Sequence, residues 1–150
     1  MLPALFAFIH HLAAFSIAAT LVLESVLLRG DLSIDSARKL LNADRRYGIA
    51  AVVVLIVGAL RVAFFEKTAA YYQHSGPFIA KIVLFAAIGL LSIYPTITFL
   101  SWRAALAQNQ LPAVDAARLQ RVRLFVRIEL ALLMLLILCA ALMAKGVGTF

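Results

Sequence analysis

Apolar positions fall into four long runs, Leu2 to Leu28, Gly48 to Phe65, Phe78 to Trp102 and Val122 to Ala144, parted by short polar segments. About 20 residues at 1.5 Å rise cross the hydrocarbon core of a bilayer, so each run predicts a membrane-spanning helix. The second run is the shortest, and its helix is expected to start near residue 46, reaching back through Arg46 and Arg45 into the interface. The connections are too short to hold further domains. The pattern therefore predicts an all-α integral membrane protein, a single four-helix domain over residues 1–150.

Composition agrees with this reading, since 65% of the chain is hydrophobic, 14% is charged and the mean hydropathy is +1.01. A soluble domain lies far from those values. The net charge of +7 does not point to nucleic acid, because the basic residues flank apolar runs and read as topology and contact with anionic lipid. The first run lacks a basic leader and a polar cleavage segment, so it reads as a retained helix and not as a signal peptide.

Arg29, Arg38, Lys39, Arg45 and Arg46 lie in the first connection, and Arg103, Arg118, Arg121 and Arg123 in the third, against Lys67 alone in the second. The positive-inside rule then places connections one and three in the cytoplasm, and both termini outside, in a bacterial inner membrane. Two similar words, Ser33-Ile34-Asp35-Ser36-Ala37-Arg38 and Ala113-Val114-Asp115-Ala116-Ala117-Arg118, open these two connections toward the next span. Ser33 suits an N-cap and Pro112 a first helical turn, so each connection is expected to carry a short helix that runs into the following span. The repetition raises a reading of the chain as two parallel helical-hairpin repeats.

Ionisable side chains inside apolar spans are costly and demand a reason. His10, His11, Arg61 and Lys81 form an outer layer without a carboxylate. By helical phase His10 shares a stripe with Ala14, Ile17, Leu21 and Glu24, Arg61 with Gly58, Val54 and Tyr47, and Lys81 with Phe85, Ile88, Ser92 and Pro95. Imidazoles beside cations suit an anionic molecule with a metal at its centre, and haem b answers to that: His10 or His11 would ligate the iron, and Arg61 and Lys81 would meet the propionates. The bland alternatives are cations snorkelling to headgroups and a histidine bonded across helices.

Glu24, Arg127 and Glu129 form an inner layer that reads as a structural ion-pair network, Glu24 with Arg127 at one depth and Glu129 with some other partner. Pro95 predicts a bend in the third span, with Ser92, Thr96 and Thr98 serving the freed backbone groups. Trp102, Tyr71 and Tyr72 read as interfacial anchors. Cys139, the sole cysteine, reads as a small buried apolar residue, and His74 as an exposed loop residue. There is no phosphate-cradling glycine loop, no zinc-binding histidine spacing, no serine-histidine-carboxylate set and no methionine run for copper.

The words His10-His11-Leu12-Ala13-Ala14-Phe15, Ala43-Asp44-Arg45-Arg46-Tyr47-Gly48 and Lys81-Ile82-Val83-Leu84-Phe85 make the chain resemble the CopD/HemJ-like superfamily of small bacterial four-helix membrane proteins, and within it an uncharacterised branch of inner-membrane proteins of this chain's length. HemJ-like proteins carry a first-helix histidine, an arginine where that helix ends and a third-helix lysine, positions that His10 or His11, Arg29 and Lys81 match. The resemblance implies b-type haem ligated from the first helix. The pattern's further histidine after the lysine has no counterpart between Lys81 and Phe150, so the resemblance does not carry the protoporphyrinogen oxidase reaction. The expected function is thus haem or porphyrin binding in a redox or porphyrin-handling role, as in a haem-dependent membrane oxidoreductase, with lipid and a homo-oligomeric or redox partner. A transporter or channel built around Glu24 and Glu129, or a non-catalytic interaction subunit, stands as the alternative.

Overall fold

The computed structural model describes residues 1–65 and 75–147. Four long helices account for most of them: α1 (Leu2–Leu27), α2 (Ile34–Leu60), α3 (Gly76–Ser101) and, after a short α4 (Arg103–Ala107), α5 (Ala116–Ala144). No strand runs through the described residues. At 26 residues α1 is about 39 Å long at 1.5 Å per residue, enough to cross a hydrocarbon core of about 30 Å. All four long helices meet the length and apolarity of a membrane span, and 17% or less of each apolar window is buried within the protein. Such large uncovered apolar faces require lipid around them.

Local chemistry sets where the helices begin. Pro3 and Pro77 occupy first turns, where the missing N–H costs nothing. Ser33 caps α2 through a reciprocal box, its Oγ accepting from the Ser36 N–H while the Ser33 N–H donates to Ser36 Oγ. α2 then continues without a break through Arg45 and Arg46 into the apolar run, so it starts about a dozen residues before the point that apolarity alone marks. α5 likewise begins at Ala116 with Asp115 as its N-cap. Pro112 lies outside any helix, because the chain first closes α4 with Asn109 at a positive φ of 56°.

α1 packs chiefly on α2 and α3 on α5, and the two hairpins meet through α1 against α5 and α2 against α3. With little hydrophobic drive between helices in lipid, cohesion comes from close packing and a few polar contacts. The buried stripes are Ala13, Ile17, Leu21 and Glu24 on α1, Leu40, Asp44 and Tyr47 on α2, and Val122, Val126, Glu129 and Leu133 on α5. Trp102 joins this core instead of anchoring at an interface. α4 follows directly after Trp102, whose backbone keeps right-handed helical angles, and the ring is buried against Phe99 in the cluster that includes Leu106.

Arginines tie the connections together at one end, the basic end. Arg38 donates to the Leu106 carbonyl and to Asn109 Oδ1, both at 3.1 Å, and Arg123 donates to the Gly30 carbonyl at 3.2 Å. Within α3, Ser92 and Thr98 turn back to the carbonyls of Gly89 and Tyr94. Thr96, the third hydroxyl expected to serve the backbone near Pro95, crosses to α2 instead and donates to Asp44 Oδ1 at 2.6 Å. Interhelical hydrogen bonds in membranes are worth about 0.6–2 kcal/mol. Thr96→Val is therefore expected to lower stability by about 1 kcal/mol in a detergent unfolding titration, with the helix content unchanged.

Candidate functional site

A cavity of about 580 Å³ occupies the half of the bundle opposite the basic end, with walls from all four long helices. Its size falls within the usual range for small-molecule sites. Three of the stripes expected from helical phase converge on it: His10, Ala14 and Ile17 from α1, Tyr47 and Gly58 with Arg61 from α2, and Lys81, Phe85, Ile88 and Ser92 from α3. α5 contributes apolar residues, among them Leu133, Leu136 and Ala140. His10, His11, Arg61 and Lys81 thus all stand on one wall system, and no Asp or Glu among the described residues joins them.

Each polar side chain reaches the cavity for a local reason. His10 and His11 are successive residues of α1, their rings 6.1 Å apart and near perpendicular, so both reach the wall from different sides of the helix. His10 is half-buried because Gly58 gives its ring room: a Cβ on Gly58 would stand 3.1 Å from His10 Cε1. His11 is exposed, and its Nδ1 lies 2.6 Å from the Ala7 carbonyl oxygen of its own helix. A carbonyl can only accept, so Nδ1 carries a proton, and in the neutral imidazole Nε2 keeps its lone pair. Arg61 opens a π-helical turn, Arg61–Phe65, that prolongs α2, a kind of widening that often accompanies a functional site. Lys81 sits in the second turn of α3 with Nζ 5.7 Å from the Phe78 ring centroid.

The cavity is not sealed from the bundle's surroundings. Phe15 and Leu55 line it yet are 73% and 58% exposed, more than an enclosed wall permits. It therefore opens sideways, at the level where lipid tails would lie, and an apolar molecule can reach it from the bilayer.

Glu24 and Glu129 lie outside this cavity, and the ion pair expected between Glu24 and Arg127 is not formed. Glu24 follows the inward stripe of α1 and is 2% exposed. Arg127 is one residue past the buried Val126, so it falls off the inward stripe of α5 and stays exposed beside Ser25, Leu28, Arg29 and Arg123. Glu129 is 1% exposed and interacts with the Tyr47 hydroxyl. The ion pair seen among the described residues is an exposed one on α2, Lys39 with Asp35 at 2.6 Å.

Asp44 is the residue that sequence reasoning passed over. By sequence it belongs to the connection that holds Arg45 and Arg46, but in the fold it lies in phase with Leu40 and Tyr47 and is 6% exposed. Cys139 is half-buried with a free thiol, and no three of His, Cys, Asp or Glu among the described residues stand close enough to hold a metal ion. His74, Tyr71 and Tyr72 fall outside the described residues.

No curated protein and no solved structure shows significant similarity to the chain. The sequence model of one family, described as a predicted membrane protein, matches residues 2–148, nearly the full length and all four spans. The chain belongs to that family, DUF2214.

Proposed function

We propose that the cavity binds haem b or a closely related porphyrin, in a redox or porphyrin-handling role. The observation that carries this reading is the convergence of His10, His11, Arg61 and Lys81 on one largely apolar cavity. A porphyrin is a flat apolar ring with two carboxylates at one edge. Small residues such as Ala14, Ala18, Ala51 and Ala140 leave room for the ring, and Arg61 and Lys81 on the same wall would meet the carboxylates. The imidazoles would supply iron ligation from α1.

When bound, haem would supply one-electron chemistry. The chain's own residues would orient it, exclude water from its faces and, with Arg61 and Lys81, neutralise its negative edge. The sideways opening suits a cofactor that partitions into lipid, and the likeness of the first-helix histidine and third-helix lysine to HemJ-like proteins supports the same assignment. By the distribution of Lys and Arg, the site faces the outer side of a bacterial inner membrane.

The test is an absorption spectrum of the detergent-purified protein, alone and titrated with haemin, beside a titration with iron-free protoporphyrin. A saturable Soret band is expected with haemin, and saturable fluorescence with the free porphyrin. Absence of both after excess ligand overturns the proposal.

A further inference from the structure

Between the cavity and the basic end runs a polar column that porphyrin binding leaves unused. Tyr47, Ser92 and Thr96 form the cavity floor. Thr96 donates to Asp44, and the Tyr47 hydroxyl interacts with both Ser92 and Glu129. Glu24 on α1 lies within electrostatic reach of Asp44 and of Glu129. From Glu24 the end of α1 is one turn away, where Ser25, Leu28, Arg29, Arg123 and Arg127 surround a small notch. The column thus takes Glu24 from α1, Asp44 and Tyr47 from α2, Ser92 and Thr96 from α3 and Glu129 from α5.

Three simpler roles do not account for it. An ion-pair lock needs a cation, and none of the three carboxyl groups has one within ion-pair distance among the described residues. A metal site needs donors that close around an ion, and none of the described groups does so. A set of helix-locking hydrogen bonds would use up its oxygens, yet Oε1 of Glu24 and Oε1 of Glu129 are buried without a hydrogen-bond partner among the described residues. Those two oxygens, on side chains 2% and 1% exposed, are places for a proton to land.

We propose that Glu129, Asp44 and Glu24, fed by Tyr47 and Thr96, form a proton-transfer route between the cavity floor and the basic end of the bundle. A carboxyl group takes a proton on one oxygen and releases one from the other. Each hop breaks one O–H bond and makes another, so one proton taken up at the floor leaves as one proton at the basic end. Chains of intramembrane carboxyl groups serve as proton relays in this way. The route gives the cavity's occupant a proton supply on the side away from its opening, but it does not depend on what that occupant is.

The test uses the full chain, free of haem, in liposomes holding a pH-sensitive dye, with a potassium diffusion potential set by valinomycin. The cavity wall runs on to Val62, Phe78 and Ala144 at the helix ends away from the basic end, so the empty cavity would join the route to water on that side. Proton flux above that of protein-free liposomes is therefore expected. Glu129→Gln and Glu24→Gln should each lower it by roughly a hundredfold, the scale of a positioned proton-transfer group, while Tyr47→Phe lowers it less. Glu129→Asp should keep most of the flux, and a monodisperse gel-filtration profile shows which variants fold; Asp44→Asn stands in for any that does not. Flux no greater than in protein-free liposomes, flux untouched by these variants, or an equal current carried by sodium at constant pH overturns the route. Because no haem is present, failure here leaves the porphyrin reading intact, and a missing Soret band leaves this test intact.

Discussion

Exchange of Trp102 for alanine is expected to destabilise the bundle by about 3–5 kcal/mol, the usual cost of emptying a large aromatic site. The ring is 3% exposed, and it meets Phe99 with centroids 5.0 Å apart at 61°. Edge-to-face pairs of this kind add about 0.5–1.5 kcal/mol beyond their buried area. Lipid offers little compensation, because the site is buried in the core cluster against Phe99. Leu90→Ala, at a side chain 71% exposed, should cost less than about 1 kcal/mol and serves as the control. Thermal unfolding in detergent measures both, and equal midpoints for the two variants would return Trp102 to the interface.

Trp102 also shows where a sequence stops being informative. A tryptophan at the end of an apolar run has two homes, the headgroup belt and the core, and hydropathy is the same for both. What decides is what packs against the ring, here Phe99 and the buried cluster to which Leu106 also belongs. Asp44 and Arg127 fail for a related reason. Asp44 reads as part of a connection although α2 starts well before its apolar run, and Arg127 reads as a partner of Glu24 by depth alone; helical phase sorts both. Asp44 falls on the buried stripe with Leu40 and Tyr47, while Arg127 falls beside Val126 and points away.

Where phase was used, the sequence reached further. Helical phase puts His10, Arg61 and Lys81 on stripes of three separate helices, and the packing turns all three toward one cavity. Four spans with short connections leave few ways to arrange a bundle, so residues at one depth on inward stripes must meet. Depth and phase together therefore located the cavity's polar wall. They did not reveal its floor, because the contacts of Thr96 with Asp44 and of Tyr47 with Glu129 depend on the rotation of α3 and α5 against α2, which no single helix records.

For haem affinity the largest effect is expected from His11→Ala, although His10 is the more buried of the pair. The Nδ1 of His11 is committed to the Ala7 carbonyl at 2.6 Å, which leaves Nε2 with a lone pair. Histidines that ligate metals nearly always hold their other ring nitrogen in this way, and disturbing that outer partner alone costs about 10–100-fold in affinity. Removing the ligand itself should then weaken haemin binding by about a hundredfold or more. His10 has its ring seated in the notch left by Gly58, with Cε1 3.1 Å from where a Cβ would stand, so it braces α1 against α2. His10→Ala should weaken binding by about tenfold or less, the lower end of the outer-partner range. Iron-free protoporphyrin separates ligation from fit: its affinity should survive His11→Ala and fall with Arg61→Ala or Lys81→Ala, which remove the partners of its carboxylates. Soret titration of haemin and fluorescence titration of the free porphyrin read these effects. The opposite ranking of the two histidines would move the iron to His10, and equal haemin affinity in both variants would show that neither imidazole ligates it.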